Sequence, residues 1–167
     1  FPGIAMPEED GATFAENASI KALAAANHSK TLALADDSGL VVDALNGAPG
    51  VHTARYGGDS AKGDVERYLL LLANLKDVPE GKRSARFVCA VALARPGELI
   101  AVTEGRCEGS IAFEAKGANG FGYDPVFRPK GFDRSFAELE GQEKDRISHR
   151  SKALAEMAPI LEGLLAS

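Results

Sequence analysis

The chain has 167 residues, 45% of them apolar and 26% charged, with a formal net charge of −5 at neutral pH. That size and balance suit a soluble protein able to bury its own core, and residues 1–167 read as a single domain. The absence of a Lys/Arg-rich run, and of any stretch near the roughly 18 apolar residues of a membrane span, argues against a nucleic-acid coat and a transmembrane protein.

Cys89 and Cys107 lie in separate strand-like segments without metal-type spacing. They read as reduced core residues of a cytoplasmic protein. No signal-peptide pattern opens the chain.

Phe1 to Asp10 carries two prolines and the pair Glu8-Glu9 and reads as loop. Thr13-Phe14-Ala15-Glu16 has capping-box spacing, and an alanine-rich helix follows to about Asn27. Phe14, Ala18, Lys21 and Ala25 share one face of it. There an ammonium can reach a phosphate, although a lysine snorkelling to the surface would look the same.

Leu32 to Ala35 is a continuous apolar run, read as a buried interior strand, and it leads into Asp36-Asp37-Ser38-Gly39. Neighbouring aspartates on an extended chain point to opposite faces, so at most one faces a given ligand. Their repulsion is tolerable beside a divalent cation of the Mg²⁺ or Mn²⁺ type. A plain strand-to-turn junction is the other reading, since Asp, Ser and Gly are ordinary turn residues.

Leu40 to Leu45 reads as a second short strand, followed by the turn Asn46-Gly47. Gly50 to Gly58 is a glycine-flanked loop with Arg55 as its fixed cation. Ser60 to Lys76 is expected to be helical, with Val65, Leu69, Leu72 and Leu75 in the core. Arg86 to Ala94 and Leu99 to Glu108 read as two strands joined by a hairpin at Arg95-Pro96-Gly97-Glu98.

Gly117 to Pro125 is a glycine-rich loop holding Phe121, Gly122, Tyr123 and Asp124. Toward the carboxyl end, Ser148 is a good N-cap for a helix burying Leu154, Met157, Leu161 and Leu164 or Leu165. Pro159 is expected to kink or end that helix. His149 and Arg150 fall on its first turn, where cations are disfavoured unless an anionic or polar ligand comes there.

Five stretches, taken together, resemble the inosine triphosphate pyrophosphatase family. They are Thr13-Phe14-Ala15-Glu16-Asn17-Ala18 with Lys21, Ala35 to Leu40, Gly47 to Gly50 with Thr53-Ala54-Arg55-Tyr56, Phe121 to Pro125, and Ser148-His149-Arg150. Each is weak alone, but they stand in the family's order and spacing across nearly the whole chain.

The resemblance implies an α/β fold: a central mixed twisted sheet, helices on both faces, an antiparallel extension, and two lobes around a cleft. It implies Mg²⁺-dependent hydrolysis of deaminated purine nucleotides (ITP, dITP, XTP) to monophosphate and pyrophosphate, with Mn²⁺ as an alternative ion. Asp37 matches the catalytic proton acceptor and a metal ligand, and Glu9 and Asp36, the latter beside the site, complete the implied metal set. Lys21 matches a phosphate contact. Ser38, Phe121, Gly122, Tyr123, Asp124, Lys144, His149 and Arg150 match substrate-binding positions.

Phe121 can stack on a purine. Donors such as His149 and Arg150 favour a 6-oxo over a 6-amino group. A homodimer is implied as well. Two alternatives stand beside this reading, a pyrophosphatase for modified pyrimidine nucleotides and a non-catalytic nucleotide-binding module. The family's amino-terminal strand, phosphate loop and helix, roughly 30 residues, have no counterpart here, and the sequence is expected to be truncated there rather than to have lost them.

Overall fold

The computed structural model describes residues 3–5 and 7–166; Phe1, Pro2 and Met6 of the expected opening loop lie outside the described residues. The first helix, α1 (Phe14–Ser29), starts where the capping signal stands. Thr13 Oγ1 accepts from the Glu16 N–H at 3.1 Å, and Glu16 Oε2 accepts from the Ala12 N–H at 2.6 Å. Its buried face is Phe14, Asn17, Ala18, Ala22 and Ala26. Small residues on that face let the helix lie close to its neighbours.

Strand β1 (Ala33–Val42) is longer than expected. It runs through Asp36-Asp37-Ser38-Gly39 without a break, so the expected second strand is its continuation, closed by a 3-10 turn at Asp43–Leu45. The aspartates are therefore mid-strand residues rather than a turn after a strand. β1 is also the terminal strand of the described four-stranded sheet, and Leu32 and Leu34 are exposed rather than interior.

Helix α2 (Asp64–Asn74) follows, then strands β2 (Ser84–Arg95) and β3 (Glu98–Ile111), joined by the expected tight connection. β4 (Phe127–Pro129) pairs antiparallel with β3, Ile111 lying opposite Phe127. Helices α3 (Gly141–Ile147) and α4 (His149–Leu165) complete the chain. The α/β class is as expected.

The chain divides into two compact units. The first holds residues 1–38, 88–106 and 149–167, and its core is Cys89, Val91 and Leu93 with Ala153 and Met157 of α4. The second holds residues 39–87 and 107–148. Its core gathers Leu40, Val42, Leu71, Leu75 and Ile111 around three aromatic rings. Phe87 meets Phe127 edge-on at 4.7 Å between centroids, and Phe136 lies 5.0 Å from Phe127.

Two helix faces differ from expectation. On α2 the buried residue is Leu71, with Leu75 just past the helix end, while Val65 and Leu69 are more than half exposed. Leu69 to Leu72 are four consecutive leucines that surround one turn, so spacing alone does not select the inward one. On α4, Ala153 and Met157 are buried and Leu154 is exposed. Pro159 does not end α4, which runs on to Leu165; it and Ala155, whose carbonyl the ring leaves without its helical donor, are both exposed, so that carbonyl is not buried unsatisfied.

Candidate functional site

In the first unit the site is built on β1, α1 and α4, with Glu9 from the segment before α1. Strand alternation in β1 turns Asp36 and Asp37 to opposite faces, and each finds a different cation. Asp37 Oδ1 accepts from Lys21 Nζ at 3.0 Å, and Glu9 Oε1 lies 3.3 Å from the same ammonium. Lys21 comes from α1, its side chain only 14% exposed, so it is not a lysine trailing into solvent.

Burial pushes the Asp37 carboxyl above its ordinary range, against the opposing pull of Lys21. Burial works on Lys21 in the other direction, but Asp37 and Glu9 outweigh it and hold the ammonium above its ordinary value. A carboxylate with a raised pKa is the stronger base.

Glu9 and Asp37 also bear on whether this site fits a divalent cation. Both offer oxygen beside one lysine, and Asp37 Oδ2 is buried with no hydrogen-bond partner. Among the described residues no three of His, Cys, Asp and Glu converge as a preformed metal cage. Mg²⁺ needs none: it is held by one or two carboxylates together with substrate phosphates and water. The donor set fits such an ion.

Asp36 turns instead to Arg150. Its Oδ2 accepts from Arg150 Nη2 at 3.0 Å and from Nε at 3.3 Å, with Ser38 Oγ at 3.5 Å. Arg150 sits on the first turn of α4, which Thr103 anchors by donating to the Ala153 carbonyl at 2.8 Å. Lys152 Nζ adds a bond to the Arg106 carbonyl at 2.8 Å. A cavity of about 110 Å³, lined by Leu34, Ala35, Asp36, Val91, Arg150 and Leu154, opens beside the guanidinium. His149 is the first residue of the same helix.

In the second unit the aromatic loop is held from several sides. Asp124, with its side chain 4% exposed, accepts from the Phe121 N–H at 3.0 Å and pairs with Lys144 Nζ at 2.5 Å. Gly120 has φ +74°, and a Cβ there would stand 2.0 Å from Asp124 Oδ2, so only glycine lets that carboxylate turn under the loop. Lys144, on α3, also lies 4.9 Å from the Phe121 ring centroid. Phe121 itself is 65% exposed. An exposed ring with a cation set beside it is a stacking surface for a planar ligand.

Two supports of this loop escaped the sequence reading. Asp64 Oδ2, at the start of α2, accepts from the Gly122 N–H at 2.9 Å. Thr53 accepts through its carbonyl from the buried Tyr123 hydroxyl at 2.8 Å, and through Oγ1 from the Leu40 N–H at 2.9 Å. Burial raises the Tyr123 phenol well above its ordinary value, which keeps it a neutral donor. Thr53 lies in a stretch the resemblance singled out, but Asp64 carries no signal beyond being an acidic first-turn residue.

Each expected residue thus has a place. Glu9, Lys21, Asp36, Asp37, Ser38, His149 and Arg150 belong to the first unit, and Phe121, Gly122, Tyr123, Asp124 and Lys144 to the second.

Comparison with known proteins gives a consistent picture. Residues 1–160 match the model of the Ham1 family. A dITP/XTP pyrophosphatase of Desulforamulus reducens is 52% identical, over 98% of this chain and 81% of that protein. One from Halalkalibacterium halodurans is 48% identical, over 97% and 83%. Among solved structures, a HAM1 protein from Coxiella burnetii superposes with a TM-score of 0.88 at 45% identity, covering 96% of this chain and 82% of that one.

Proposed function

This chain belongs to the Ham1 family, and from that premise we infer that it is a nucleoside-triphosphate pyrophosphatase clearing deaminated purine nucleotides from the nucleotide pool. Its substrates are dITP, ITP and XTP, and its products the monophosphate and pyrophosphate. The observation that carries this reading is the buried Asp37 carboxylate, with one oxygen on Lys21 and the other unpartnered.

Hydrolysis cleaves the anhydride between the α- and β-phosphates. Asp37 accepts the proton of the attacking water, a role its raised pKa favours. Lys21 offsets charge on the phosphates once substrate displaces part of its present pairing. Glu9 and Asp37 would hold Mg²⁺, which supplies charge neutralisation and Lewis acidity when bound. Asp36, whose Oδ2 is taken up by Arg150, is in this reading the partner of that arginine more than a metal ligand.

Phe121 stacks on the base, with Gly122 and Tyr123 shaping the loop and Asp124 and Lys144 fixing it. Ser38, His149 and Arg150 contact substrate, and the last two offer N–H donors to the 6-oxo group. An adenine amino group there would leave donors facing donors. The enzyme works as a homodimer in the cytoplasm; its two buried cysteines form no disulfide, which suits a reducing compartment.

The test is pyrophosphate release from dITP, ITP, XTP and ATP at fixed Mg²⁺. Rapid release from the three deaminated nucleotides and slow release from ATP supports the reading. Preference for a modified pyrimidine triphosphate, or binding without turnover, replaces it.

A further inference from the structure

Asn17 sits on the buried face of α1, fully inaccessible, among Phe14, Ala18, Ala22 and Ala26. An asparagine in an alanine seam is costly unless its amide is used. Half of it is used. Asn17 Oδ1 accepts from the Gly11 N–H at 2.9 Å. The fit is tight on that side, since a Cβ on Gly11 would stand 2.6 Å from Oδ1 and 2.8 Å from Glu16 Cβ.

The other half makes no hydrogen bond of ordinary geometry: Nδ2 is buried and unpartnered, as is Oδ2 of Asp37. The amide is near enough to the Asp37 carboxylate to favour its charged form. An unused buried donor and an unused buried acceptor thus belong to two side chains that interact, and Asn17 stands four residues, one helical turn, before Lys21, whose ammonium holds the other Asp37 oxygen.

We propose that Asn17 is a positioning residue of the hydrolytic site. Its Oδ1 fixes the Gly11 amide and with it the segment bearing Glu9, and its Nδ2 serves Asp37 Oδ2. One amide thereby keeps two carboxylates in register around Lys21. This rests on the roles assigned above to Glu9 and Asp37.

Asn17→Asp retains the acceptor and removes the donor, whereas Asn17→Ala removes both. Hydrogen exchange at the Gly11 amide is therefore expected to stay slow in N17D and to quicken about tenfold or more in N17A, the equivalent of one lost hydrogen bond. Turnover of ITP falls in both variants by about 10–100-fold, the usual cost of removing support from a site carboxylate, with KM changing far less. Because loss of folded protein would also lower turnover, the decisive measurement is a cycle with Asp37→Asn. If Asn17 acts through Asp37, N17A costs clearly less in the D37N background than in the wild type.

Unchanged Gly11 exchange in N17A overturns the tether, and equal losses of turnover in both backgrounds overturn the link to Asp37. Should N17D fold poorly, N17A and the cycle still decide. Failure of wild-type protein to hydrolyse ITP would refute the assigned activity instead, and the exchange measurement would stand apart from it.

Discussion

A carboxylate that is almost enclosed, paired on one oxygen and unpartnered on the other is poorly placed for stability and well placed for chemistry. Asp37→Asn keeps its volume and one acceptor while removing charge and basicity. Turnover is expected to fall by at least about 10², the low end for losing a general base, with little change in melting temperature. Near-wild-type turnover would remove Asp37 from the mechanism. Arg150 is a different case, because Asp36 already holds its guanidinium by Nε and Nη2. Arg150→Ala should narrow the preference for ITP over ATP by about 1–3 kcal/mol, the cost of leaving polar partners unpaired. The comparison of kcat/KM for the two nucleotides reads this directly. Equal slowing of both would assign Arg150 to phosphate or to anchoring α4 instead.

At the level of elements, Arg83 shows what ties the connection after α2 to the sheet. It is 2% exposed, and it donates from Nε to the Ile111 carbonyl, from Nη1 to those of Leu75 and Val78, and from Nη2 to that of Ala112. Four carbonyls from two chain segments are satisfied by one side chain, and its face also lies 4.3 Å over the Phe113 ring. Arg83→Met keeps the stem but strands those carbonyls. A loss of about 1–3 kcal/mol or more in urea unfolding is expected, the cost of leaving buried acceptors unsatisfied. A loss below about 1 kcal/mol would mean that water replaces the guanidinium. No sequence pattern announced this residue, since an arginine after Gly81-Lys82 looks like surface. Capping at Thr13, the β2–β3 hairpin and the five site stretches were legible, because each is written in local residue order. Which leucine of α2 turns inward, and that β1 continues through its aspartates, depends on packing from distant segments and was not. Asn17 was visible as part of a quoted stretch, yet its buried amide gained a meaning only once Gly11 and Asp37 stood around it.

For the whole molecule, the charge balance sets how stability follows pH, and two aspartates pull it in opposite directions. Asp43 accepts from Ser84 Oγ at 2.6 Å and from Arg86 Nη2 at 3.0 Å, and Arg86 also pairs with Glu108 at 3.1 Å. The Ser84 hydrogen bond, then Arg86, hold the Asp43 carboxyl below its ordinary range. Its contribution is therefore complete above the unfolded value, near about 3.9, and is lost as pH falls through the lower folded value. Asp37 behaves in reverse, since burial raises its pKa. The stability it gives is present below the unfolded value and is lost as pH rises through the folded one, so at neutral pH its charge is a burden. Asp43 is 44% exposed at its side chain, so solvent screens its part and the expected effect is a slope rather than a large step. Metal-free urea unfolding from pH 7 down to pH 3 should show Asp43→Asn less stable than wild type at pH 7, the gap closing below about pH 4. Asp37→Asn should be no less stable than wild type at pH 7, and should lose that standing as the wild-type carboxyl protonates. A gap for Asp43→Asn that stays constant across this range would show that its carboxylate stabilises by shape alone. A gap for Asp37→Asn that opens as a loss at neutral pH would show that the Lys21 pairing outweighs the burial of its charge.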